Sequence, residues 1–149
     1  MAMHWVIVGD AAGAKVYESD ALLEELKLVD DISFSHGHVQ RDDGEGHSNE
    51  SLPGAGHSAE QAEHDPHKVK EERFARAVAE AVNVAAGSHR FERLIVVAPP
   101  RFLGDVRAAL SHSTAKRLVA SIHHDWTRLS RQDLSAQLRK NIPDTAGLP

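Results

Sequence analysis

Leu94-Ile95-Val96-Val97-Ala98 decides how this chain is read. The run is apolar throughout, lacks the alternation of a half-exposed strand, and ends at Pro99-Pro100. That pattern marks a strand buried on both faces, central in its sheet and parallel to a neighbour. Parallel strands need crossover connections, usually helices, and the flanking residues supply them. Upstream, Asp65-Pro66 reads as an N-cap followed by Pro at the first helical position. The helix then runs to about Ala86, with Gly87 as its stop. Phe74, Val78, Ala81, Val82 and Ala85 share one face at helical spacing. Downstream, Phe102, Leu103, Val106 and Leu110 mark a second amphipathic helix, and Leu118-Val119-Ala120-Ser121-Ile122 a further strand. Ser130 and Asp133 form a capping box for a last helix, with Leu129 and Leu134 in the staple positions around it. Leu134 and Leu138 face inward, and Pro143 closes that helix.

The N-terminal third completes the sheet. Trp5-Val6-Ile7-Val8 is a strand, Gly9 to Gly13 has turn chemistry, and Lys15-Val16-Tyr17-Glu18 returns antiparallel. Leu26, Leu28, Asp30, Ile32 and Phe34 outline a third strand with imperfect alternation. A three-strand meander followed by two right-handed crossovers gives one mixed five-stranded sheet. The order β-β-β-α-β-α-β-α is ribonuclease-H-like, an α/β class, and residues 1–149 are expected to form a single domain.

Composition narrows the chemistry. The chain has no cysteine, which excludes disulfides, thiolate metal sites and Cys nucleophiles. No apolar run approaches the length of a membrane-spanning helix. Met1-Ala2-Met3-His4 does not begin a signal peptide, so a cytoplasmic address is expected. Net charge is −5, and all of it sits in residues 36–68, where seven acids face Arg41 and Lys68. Five Gly and six His in the same stretch, with Val39 and Leu52 the only sizeable aliphatics, cannot build a core. A mobile loop over 36–64 is expected.

Six histidines in that segment raise the question of metal. His36 and His38, and His64 and His67, have ligand-compatible spacing. Without a framework to hold four ligands, this predicts at most weak divalent transition-metal binding and no resident cofactor. Protonating the six would also carry the loop from −5 to about +1 between pH 7 and 5. A two-metal nuclease needs converging carboxylates. Asp10 lies just past the first strand, Glu71 and Glu72 lie on the helix, and the fourth strand ends without an acid, so that constellation is incomplete. No nucleophile elbow, P-loop or dinucleotide fingerprint occurs. Asp10, Arg101 and Asp125 all fall near the carboxyl edge of the sheet, where open α/β sheets bind ligands. Arg101 opens a helix whose start accepts an anion; its structural alternative is an ion pair with Asp10 or Asp125. Asp125, beside His123, His124 and Trp126, has turn formation as its structural alternative.

Three blocks carry a family resemblance. They are His4-Trp5-Val6-Ile7-Val8-Gly9-Asp10-Ala11-Ala12-Gly13-Ala14-Lys15-Val16-Tyr17; Val96-Val97-Ala98-Pro99-Pro100-Arg101-Phe102-Leu103-Gly104-Asp105-Val106-Arg107; and His124-Asp125-Trp126-Thr127. Together they resemble the bacterial host attachment proteins, required for attachment to host cells. The resemblance implies kinship with the middle domain of archaeal and eukaryotic peptide-chain release factors. In those proteins a Gly-Gly-Gln loop occupies the place of residues 36–64, but here Gln40 and Gln61 lack the glycine pair.

Three readings of function follow. The first is a non-enzymatic binding module, release-factor-like and ribosome- or RNA-associated through Arg101, Arg107, Arg128 and Arg131, which then share one face. The second is an attachment factor acting through protein partners, with an apolar patch or a homodimer interface. The third is a metal-dependent hydrolase with a pocket joining Asp10, Arg101 and Asp125.

Overall fold

A computed structural model of the chain describes residues 2–35, 38–39 and 66–142. The strands are β1 (His4–Asp10), β2 (Gly13–Ser19), β3 (Lys27–Ser35), β4 (His38–Val39), β5 (Arg93–Val97) and β6 (Leu118–Ile122). The helices are α1 (Pro66–Gly87), α2 (Pro100–Ala109), the single turn α3 (His112–Ala115) and α4 (Arg131–Asn141). They build one mixed sheet in the order β4-β3-β2-β1-β5-β6. β1, β2 and β3 form the antiparallel meander, while β5 lies parallel to both β1 and β6. The Leu94 segment is therefore flanked on both sides, as its unbroken apolar character requires.

The five expected strands are joined by a sixth. His38 and Val39 fold back on Phe34 and Ser35 as a two-residue strand inside the stretch read as a loop. The rest of residues 36–64 lies outside the described residues, as does the Asp65 cap.

Alternation along β1 divides the core. Trp5 and Ile7 point to one face, where Phe74, Val78 and Val82 of α1 and Phe102, Leu103 and Val106 of α2 cover them. Val6 and Val8 point to the other, where Leu134 and Leu138 of α4 meet them with Tyr17, Ile95 and Val97. Each large apolar side chain so buried contributes about 1.5–3 kcal/mol. An aromatic row ties the first face together: Phe74 stands 6.0 Å from Phe34, edge-on, and 5.5 Å from Phe102, stacked.

At the amino end of β1, Trp5 stacks on Phe91 at 4.9 Å. Arg90 lies over the Trp5 ring and Arg117 over that of Phe91. Arg90 also grips Asp31 with two hydrogen bonds, at 2.9 and 3.1 Å, and that contact holds the Asp31 carboxyl below its ordinary value.

The imperfect alternation of β3 has its cause in the pairing. Leu28 is 42% exposed, while its neighbour Val29 is buried. The β2–β3 ladder slips between Lys15↔Ser33 and Tyr17↔Leu28, and the irregularity in β3 turns Val29 inward. α1 ends at the expected glycine stop, Gly87, and the left-handed reversal falls two residues on, at His89, with φ 57°.

The β2–β3 connection is pinned from the far side of the sheet. Leu23 is fully buried at φ 55°, and the Ser135 hydroxyl of α4 donates to the Leu23 and Glu24 carbonyl oxygens. Arg131 reaches the Leu26 carbonyl at 3.4 Å. The last helix thus fixes a loop more than a hundred residues earlier.

His4 begins β1 in the interior. Its Nδ1 is 3.2 Å from the Ala2 carbonyl oxygen, and Nε2 has no hydrogen-bond partner. Burial holds its pKa below 6.5; the Ala2 carbonyl opposes this, Arg93 adds to it, and Asp20 and Glu92 oppose it. The unfolded chain therefore takes up the proton first, and stability drains as pH falls below about 6.5. His4→Leu removes that term. The difference in melting temperature, variant minus parent, is expected to grow as pH is lowered from 7 to 5, as followed by thermal unfolding.

Candidate functional site at the carboxyl end of β1

β1 is where the chain changes from the meander on one side to the crossovers on the other. Ligands of open α/β sheets sit beyond the carboxyl ends of strands at such a change. Here a pocket of about 310 Å³ opens on the α4 side, lined by Val8, Asp10, Ala12, Gly13, Ala14, Lys15, Tyr17, Phe34, Trp126, Thr127, Leu129 and Leu134.

Two carboxylates shape it by organising backbone. Asp10 Oδ1 accepts from the Ala12 N–H at 2.8 Å and the Gly13 N–H at 3.0 Å, closing the β1–β2 turn. Asp125 Oδ1 accepts from the Thr127 hydroxyl at 2.7 Å and the Thr127 N–H at 3.2 Å. That second turn presents Trp126 and Thr127 to the pocket. Ser130 then caps α4, its Oγ accepting from the Asp133 N–H at 3.1 Å. The cap sets the start of α4 and with it the position of Leu134. The outer face of the loop carries His124, stacked on Trp126 at 5.2 Å and 5° between planes.

The floor is the α4-side face of the first hairpin. Val8 and Asp10 come from β1, Lys15 and Tyr17 from β2, and Val8 pairs with Lys15 across the ladder. Burial pushes the Tyr17 phenol above its ordinary value, against the pull of the Arg131 charge. At neutral pH it is therefore a neutral donor.

The residues singled out in the sequence are brought together in part. Asp10 lines the pocket, and Asp125 holds two of its wall residues. Arg101 and Arg107 are exposed on α2, which covers the opposite face of the sheet, and Arg128 is exposed in the β6–α4 loop. None of the three arginines lines the pocket. Arg101 pairs with neither Asp10 nor Asp125; it acts on Asp105, one turn further along α2. His36 and His64 lie outside the described residues, as do the side chains of His38 and His67. Among the described residues, no three His, Asp or Glu gather as a metal shell.

Lys15, Tyr17 and Leu134 were not singled out as pocket residues. A signal for the first two was present. A tight turn after Asp10 makes Val8 and Lys15 opposite neighbours, so Lys15 and Tyr17 share the face of Val8 and Asp10.

Two other cavities differ in character. A cleft of about 720 Å³ at the amino end of β1 is walled by Glu18, Asp20, Glu24 and Glu25 with Lys27 and Arg131. Met3 and Leu26 add apolar surface, but its lining is about as polar as apolar, whereas that of the pocket at the carboxyl end of β1 is mainly apolar. A smaller one, about 180 Å³, lies between α1 and α2, lined by Glu72, Arg76, Asp105, Ala108 and Ala109. Asp105 Oδ2 is buried there without a hydrogen-bond partner. Burial raises its pKa, Glu72 and Glu71 push it the same way, and Arg101 and Lys68 oppose them. A raised native pKa is a penalty at neutral pH that lifts as pH falls. Asp105→Asn is accordingly expected to raise the melting temperature at pH 7, with the gain shrinking toward pH 4, as read by thermal unfolding at the two pH values.

The described residues thus form a mixed α/β sheet with a small, mainly apolar pocket at a strand end, the place where open α/β sheets take ligands. The family model described as "Protein required for attachment to host cells" matches residues 5–138, and the chain belongs to that family. No curated protein matches the chain. Membership suggests an attachment-related function. Among the described residues, no helix is long and apolar enough to cross a membrane.

Proposed function

We propose that the chain is a non-enzymatic binding module serving attachment, and that the pocket at the carboxyl end of β1 is its binding site. One observation carries this reading: an apolar cavity of about 310 Å³ with few polar groups stands where this sheet type takes ligands. The acids nearest it hold turns through two hydrogen bonds each, which suits a rigid receptor. The ribosome- or RNA-associated form of the reading asks for one basic face. Arg101 and Arg107 ride on α2 and Arg131 begins α4, on opposite faces of the sheet, and this favours the pocket over an arginine surface.

Ala12→Trp tests the proposal. Ala12 is exposed at the rim, so a large ring there fills the cavity without entering the core. The variant should keep its melting temperature within about 2 °C of the parent. Cells carrying it as their only copy should lose most of their attachment to host cells. Parental attachment with the pocket filled would overturn the assignment.

A further inference from the structure

An acid and a base, Asp10 and Lys15, hold neighbouring positions in the lining of the pocket. Asp10 pairs with Gly13 and Lys15 with Val8, so Asp10 and Lys15 are diagonal neighbours on one face, roughly 7 Å apart at their Cβ atoms. Among the described residues neither takes part in an ion pair. Asp10 Oδ1 is occupied by the turn, and both hydrogen bonds of the turn leave its other oxygen available. Beyond this charged end the walls are Val8, Tyr17, Trp126, Leu129 and Leu134.

A ligand matching this site has an apolar body and a head bearing both charges. In an α-amino acid the two charged groups are about 3 Å apart, and with a hydrogen bond of about 2.8 Å at each end the head falls within reach of an Asp10 carboxylate and the long, flexible Lys15 side chain. The volume, at the low end of roughly 300–1,000 Å³ for ligand sites, suits one small molecule better than a peptide.

We propose that the pocket takes a free amino acid with an aromatic or large aliphatic side chain. Its ammonium meets Asp10, its carboxylate meets Lys15, and its side chain lies against Trp126, Tyr17, Leu129 and Leu134. This rests on the pocket being the binding site, and the test separates the two claims.

The full chain, labelled with ¹⁵N, is titrated with L-phenylalanine, L-leucine and L-tryptophan. Phenethylamine and 3-phenylpropionate, each lacking one charge, and indole, lacking both, serve as controls. At least one amino acid should bind about tenfold or more tightly than either single-charge analogue. Asp10→Asn and Lys15→Gln should each erase that preference. Asn preserves the turn, since its amide oxygen accepts the same two N–H groups. Equal binding of the single-charge analogues overturns the proposal. Indole binding in the pocket without amino-acid binding overturns it too, while leaving the pocket as the binding site. Failure of every compound overturns both.

Discussion

Phe74→Ala is expected to lower the unfolding free energy by about 3–5 kcal/mol, the range for emptying a large aromatic site in a core. Phe74 is 1% exposed and stands between Phe34 of β3 and Phe102 of α2. Its loss opens a cavity where α1, α2 and the meander meet, and no one neighbour can collapse into it without leaving another. For a chain of this length the melting temperature should fall by roughly 10 °C. Phe74→Leu, which keeps most of the volume, should cost less than half as much. Equal losses for the two variants would mean that ring stacking, and not filled space, holds this junction. Urea denaturation of both gives the answer.

The second large effect is expected at Gly9. A Cβ on Gly9 would stand 2.8 Å from the Ala14 Cβ and 3.2 Å from the Gly13 carbonyl oxygen. Gly9 and Ala14 are paired in the β1–β2 ladder, so the hairpin must spread to admit a methyl group. Gly9→Ala should therefore cost about 1–3 kcal/mol. Adding Ala14→Gly removes the closest contact and should return at least half of the loss, a coupling that a double-mutant cycle measures. The same spreading shifts Asp10 and Lys15, so Gly9→Ala should weaken ligand binding even where the protein is fully folded. An uncoupled cycle would show that the approach of the two strands is not what demands glycine there.

The sheet was legible in the sequence because its signals are local and agree with one another. The Leu94–Ala98 run has no polar residue to place on an exposed face, and two helices of the right spacing flank it. Ser130 with Asp133 fixed the start of α4 to the residue, and the Asp133 N–H does bond to the Ser130 hydroxyl. β3 was less legible. Five positions of one parity, Leu26 to Phe34, contained four apolar residues, yet the irregularity opposite Lys15 and Tyr17 reversed the parity at Leu28 and Val29. Such a slip is set by pairing and leaves no mark within the strand itself.

The candidate site was half legible for the same reason. Asp10 and Asp125 stood out as acids after strands, and both belong to its architecture. Arg101 stood out as a charge opening a helix, but that helix packs on the other face of the sheet. Which face a helix covers follows from crossover geometry and is not written at Arg101. Leu134 looked like a staple residue and is also a pocket wall, because the cap that it completes lies against the β1–β2 hairpin. Phe91 went unremarked in a short loop between α1 and β5, although it is fully buried on Trp5.

Where a small apolar molecule settles on this protein is the most direct measurement of all. Indole is titrated into the ¹⁵N-labelled full chain while amide resonances are followed. Saturable shifts concentrated in residues 8–17 and 126–134 are the predicted result, and Ala12→Trp should abolish them. Shifts concentrated around Glu18 to Lys27 and Arg131, or no saturable response anywhere, would contradict a binding site at the carboxyl end of β1.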